Sequence, residues 1–211
     1  MLKKIVTSVV AVIVALVING TLSVDAASST TTKANVELTS GGPITLDAVP
    51  AMYDFDTHDA KQSLQHYDAI TGDKSPIQVT NPGNDTGWNV TAEMSKLETA
   101  SGLQLMGASI DMINNTDYAG DSGVAYLPNG AVLNGVTTTK DNASAIDMFP
   151  KASSPTLTPG TAATVFSAVQ GGGVGVWQTA FKPVLNVPAG NVEGTYTGTI
   201  TWTLEQTPSG N

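Results

Sequence analysis

The sequence predicts an all-β fold, a β-sandwich of mainly antiparallel strands with a long loop-rich insertion, behind an N-terminal helical signal peptide. Three observations carry this expectation. The stretch Thr195 to Leu204 places Thr at every second position, with Tyr196, Gly198, Ile200, Trp202 and Leu204 between them. Successive strand side chains point to opposite faces, so this pattern makes one hydroxyl-bearing face and one apolar face. The stretch Gly87 to Met94 repeats it, with Trp88, Val90, Ala92 and Met94 alternating against Asn89, Thr91 and Glu93. Elsewhere, short apolar runs are separated by frequent turn residues, and no helical periodicity appears beyond the first residues.

The first of these strands would run about 33 Å at roughly 3.3 Å per residue, and its Trp202 side requires a second layer to cover it. The two Trp-bearing ribbons are expected to sit back to back at the centre of the molecule.

The N-terminus reads as a secretion signal: Lys3 and Lys4, then an apolar run from Ile5 to Ile18, then small residues at Val24-Asp25-Ala26. The run is short for an uncleaved anchor, which needs about 20 apolar residues. Cleavage after Ala26 or Ala27 is expected, giving a signal peptide over 1–26, a polar leader over 27–33 and one domain over 34–208. No membrane insertion is expected once the signal is removed.

That mature chain keeps seven lysines against seventeen Asp and Glu, a net charge near −10, with no arginine and no cysteine. Nucleic acids and anionic lipids are engaged through Lys and Arg clusters, so neither is an expected partner. An exported chain of this size can hold a sandwich core without disulfides.

In order, Ala34 to Leu38 alternates as an edge-type strand, and Gly41-Gly-Pro43 turns the chain. Ile44 to Ala48 follows with Ile44, Leu46 and Ala48 inward. Tyr53 to Asp59 is an acidic turn; Asp54, Asp56 and Asp59 lack the Gly and Glu positions of a calcium loop. Residues 60–76 read as irregular. Ile77 to Thr80, the turn cluster Asn81 to Gly87 and the Trp88 strand together read as a hairpin. Leu103 to Met112 reads as a strand with a bulge before Gly107. Residues 113–160 read as a long excursion. Strands resume at Ala163 to Val169, Val174 to Lys182 and Val184 to Val187, before the Thr195 strand.

Catalytic signatures are missing. The chain has two histidines, His58 and His66, but no Gly-x-Ser-x-Gly elbow, no His-Glu-x-x-His and no phosphate loop. Leu127-Pro-Asn-Gly130 lacks the Thr of a wall-sorting signal. No catalytic residue, metal ligand or cofactor is expected, and the protein is read as a non-enzyme.

Taken together, Tyr196-x5-Trp202-Thr203-Leu204 with Pro208, and Gly87-Trp88-Asn89-Val90, resemble the distal and proximal motifs of the WxL domain family of Gram-positive cell-surface proteins. Val90 stands where the family usually has Leu. Leu46 to Pro50, Leu105 to Ile110, Ala168 to Gly175 and Leu185 to Pro188 extend the resemblance over residues 34–208, as in a small member without an appended module. The turn before Trp88 departs from the family in carrying no arginine.

The resemblance implies a secreted protein on a Gram-positive surface, attached noncovalently to peptidoglycan through the WxL domain. It also implies a membrane-anchored surface protein as partner, with the alternative that the chain is chiefly an interaction subunit held by that partner. The motif residues Trp88, Val90, Trp202 and Leu204 then have two readings, sandwich core or ligand contact, and one pair could serve each. Trp177, beside the glycine run, is a further candidate platform for stacking a sugar.

Overall fold

Alternating β-branched and aromatic residues make strands here, and their register settles which face is buried. The computed structural model describes residues 32–116, 118, 124–126, 132–134 and 149–207. The signal peptide expected over 1–26 lies outside them. Leu38–Asn211 forms one compact unit. Of the preceding unit, residues 32–37 are described; they are exposed and form none of the strand expected over Ala34 to Leu38.

The described strands form three antiparallel sheets, and the all-β expectation holds. One sheet orders β1 (Thr45–Ala48), β3 (Ile77–Asn81), β11 (Gly175–Thr179), β7 (Val132–Asn134) and β6 (Val124–Tyr126). A second, the motif sheet, orders β13 (Ile200–Thr207), β4 (Gly87–Met94), β10 (Ala163–Ala168) and β8 (Lys151–Ala152). The third orders β2 (Gln65–Asp68), β12 (Phe181–Val187), β5 (Ser109–Asn114) and β9 (Thr156–Leu157).

One continuous core joins them, built around Trp88, Trp177, Phe166, Phe181, Met94, Met112 and Leu157. Strands reach it by switching sheets. β11 and β12 are separated by Ala180 alone, which is fully buried, yet they belong to different sheets.

The hairpin expected over 77–94 is instead a corner. β3 pairs with β1 and β11, whereas β4 pairs with β10 and β13. The buried Asn81 explains the change of direction: its Oδ1 accepts from the Gly83 and Asn84 N–H groups, and its Nδ2 donates to the Asn84 carbonyl. The turn is closed by that side chain rather than by strand pairing.

Two expected strands are shorter than their sequence patterns. The distal strand begins at Ile200, because the Thr199 N–H is taken by Ser95 Oγ, and pairing resumes only as a Thr197–Glu98 bridge. The Leu103 strand begins at Ser109. Gly107 turns there at φ +69°, with Met106 held by both amide groups of Asn191, so the phase shift is a turn rather than a bulge. Conversely, β2 appears within 60–76, and the excursion over 113–160 supplies β6, β7, β8 and β9.

Candidate functional site

The two motif strands lie side by side in one sheet, not back to back. β13 pairs with β4 along its whole length, setting Trp202 against Ala92, Leu204 against Val90 and Gln206 against Trp88. Both motifs therefore turn their apolar residues to the same, inward face.

Their burial differs, because β4 is an inner strand and β13 is at the edge. Trp88 and Val90 are fully buried. The Trp88 ring meets Phe166 edge-on at 5.0 Å, an arrangement favoured by the ring quadrupoles. Its Nε1–H points at the Gly173 carbonyl, 3.5 Å away. A Cβ on Gly173 would lie 2.6 Å from that nitrogen and 2.5 Å from Ala168 Cβ, and φ there is +63°. The glycine run at 171–173 thus lets backbone close over the indole.

Trp202 and Leu204 are half-buried and pack on the rim of the core. Trp202 faces an open groove of about 210 Å³ lined by Leu46, Asp47, Ala48 and Val49. Asp47 accepts from Thr45 at 2.6 Å, from Gln78 at 3.2 Å and from Thr80. Partial burial pushes its carboxyl up, but the three hydrogen bonds outweigh that and hold it below its ordinary value.

Trp177 is not a platform in this structure. It is 2% exposed, its Nε1–H donates to the Val174 carbonyl at 3.0 Å, and Phe149 lies 5.2 Å from it. On β11 it points into the core that the three sheets share.

The opposite face of the motif sheet is polar throughout. Register sets Thr201 beside Glu93, Thr203 beside Thr91 and Glu205 beside Asn89, and continues to Thr164, Ser167 and Lys151 on β10 and β8. Asn89 Nδ2 donates to Glu205 at 3.2 Å, and Asn89 Oδ1 has no partner among the described residues. Strands spaced about 4.8 Å apart, with same-face residues about 6.8 Å apart, make this a grid of hydroxyls and amides interspersed with the charges of Glu93, Glu205 and Lys151. Sequence reasoning named the hydroxyl face of each strand but placed the site on the tryptophans. The signal for the shared face was the threonine alternation itself.

A second open groove, of about 560 Å³, lies near the start of the distal motif and is lined by Thr99, Ser101, Leu103, Glu193, Thr195 and Thr197 among others. Both histidines are engaged elsewhere. His58 stacks on Tyr67 with ring centres 3.7 Å apart, and His66 bonds the Asn186 amide. Asp54 accepts from the Asp56 N–H at 2.9 Å, and Asp59 pairs with Lys61 at 3.1 Å. Among the described residues no group of His, Asp and Glu is arranged to hold a metal, and no helix is long and apolar enough to cross a membrane.

A family model described as WxL domain surface cell wall-binding matches residues 19–208. No curated protein and no solved structure matches the chain significantly.

Proposed function

From the premise that this chain belongs to the WxL domain family of surface, cell wall-binding proteins, we propose that it attaches noncovalently to peptidoglycan through the outer face of its motif sheet. The chain is exported in a Gram-positive bacterium, loses its signal peptide and acts by binding rather than catalysis. The observation that carries this reading is the unbroken polar face that both motif strands share, running from Thr201, Thr203 and Glu205 across Glu93, Thr91 and Asn89.

Such a grid suits a polyhydroxylated chain, whose hydroxyls can donate and accept at every step. The inward tryptophans serve it indirectly by packing the sheet against the core. Charge favours the same contact. At a net charge near −10 the chain is repelled by anionic wall polymers, but only within a Debye length of roughly 8 Å at physiological salt. Short-range hydrogen bonding decides attachment.

The test is sedimentation of purified protein with peptidoglycan stripped of all other proteins and polymers. Retention in the pellet supports direct attachment. Retention only when a membrane-anchored surface protein is added would transfer the anchoring role to that partner. Release of soluble wall fragments would make the chain an enzyme.

A further inference from the structure

The longest open edge among the described strands belongs to β13. Natural sheets blunt their edges by shortness, charge, proline or bulges. The other terminal strands here follow that rule: β1 and β2 have four residues and carry Asp47 and Asp68, β6 has three, and β8 and β9 have two. By contrast β13 has eight residues with a single charge, Glu205, near its end, contains no lysine, proline or glycine, and pairs with β4 without a register shift. Its inward row of Ile200, Trp202 and Leu204 is only half covered.

The same chain holds a strand sequence without a sheet. Ala34, Val36 and Leu38 alternate with Asn35 and Glu37, yet the segment pairs with no described strand. Val36 is 85% exposed and Leu38 is 89% exposed. Apolar side chains at strand spacing, held in water, are what an open edge is able to cover.

We propose that residues 34–38 of one copy add as an antiparallel strand to the β13 edge of a second copy, with Leu38 beside Trp202 and Val36 beside Leu204. In this register Glu37 faces Thr203, and the Asn35 amide faces the Glu205 carboxylate. No like charges stand directly opposite, and one pair can hydrogen-bond. Leu38 enters the groove between Trp202 and Leu46–Val49.

A second copy is favoured over the chain's own edge by direction. The Gly41 N–H donates to the Pro82 carbonyl, and Asn84 Nδ2 donates to the Gly42 carbonyl, so the chain just after Leu38 is fixed at the β3–β4 corner. The β13 strand ends at that same corner, where Thr207 pairs with Gly87. A chain reaching its own β13 would therefore run parallel to it, the less stable pairing. The edge and the polar outer face are different surfaces, so strand addition leaves the wall-facing side chains free.

The chain has no cysteine, so Val36→Cys and Leu204→Cys introduce single thiols. Purified separately and mixed under mild oxidation, these variants are expected to form the mixed disulfide dimer in preference to either self-dimer. Sedimentation velocity of the natural chain is expected to show association that rises with concentration. The V36E/L38E variant should abolish it without moving the unfolding midpoint, because both residues are exposed. A natural chain monomeric at every concentration, association that survives V36E/L38E, or a Val36→Cys/Leu204→Cys double variant that closes within one chain would overturn the proposal.

Discussion

Trp88 and Trp202 carry the same local pattern but have opposite fates, and neighbouring strands decide which is which. Alternation in the sequence marks Trp88, Val90, Trp202 and Leu204 as one-faced; it says nothing about whether a strand is central or at an edge. β4 is flanked by β10 and β13, so Trp88 is enclosed, whereas among the described strands β13 has a neighbour on one side only. Trp177 misleads for a related reason. A glycine run beside an indole suggests an open loop, but the glycines are there because the chain passes at contact distance over Trp88. Replacing Gly173 by Ala should therefore destabilise the fold by about 2 kcal/mol or more, from a strained positive φ and a forced clash. A denaturant midpoint measures this, and an unchanged midpoint would mean that the loop yields without cost.

Elements with one apolar face were legible; polar edges and corners were not. β4 and most of β13 follow from period-two spacing, whereas β10 carries a register shift between Thr164 and Phe166. β2 escaped notice because His66 and Asp68 point outward and little besides Tyr67 points in, leaving no alternation to detect. The corner at Asn81 escaped because a side-chain plug, not a turn dipeptide, closes it. On the third sheet, a polar ladder crosses all four strands: His66 bonds Asn186, Asn186 bonds Asp111 and Ser109, and Thr156 bonds Asp111. The hydrogen bonds from Thr156 and Asn186, aided by His66, hold the Asp111 carboxyl below its ordinary value against slight desolvation. Asp47 is lowered too. A depressed carboxylate stabilises the fold above its unfolded value of 3.8 and loses that contribution as pH falls through the lower folded value. Stability should hold steady above about pH 5 and fall on acidification. The Asp111→Asn and Asp47→Asn variants should each flatten the acid limb, as read from thermal midpoints across pH.

At the scale of the whole molecule, composition constrained the mechanism more than it constrained the shape. For the wall attachment proposed above, the excess of acids and the absence of arginine leave short-range contact rather than long-range attraction to anionic polymers. The family was legible from two motifs because their spacing spans the domain, and the model match over residues 19–208 agrees. The division into three sheets was not, since it depends on corners that leave no periodic trace. Protein bound to purified walls should resist concentrated NaCl. Elution by moderate salt would point to charge pairing, and elution by a chelator to bridging divalent cations.

The central claim is that the motif tryptophans build a sheet whose opposite, polar face touches the wall. Its most direct test is the fraction of a T91V/T203V variant, which removes two facing hydroxyls without adding charge, retained by bare peptidoglycan, with its unfolding midpoint measured alongside. Both positions are outward, so the midpoint should stay within about 0.5 kcal/mol of the natural chain while retention falls by an order of magnitude or more. Full retention by the folded variant would contradict the account.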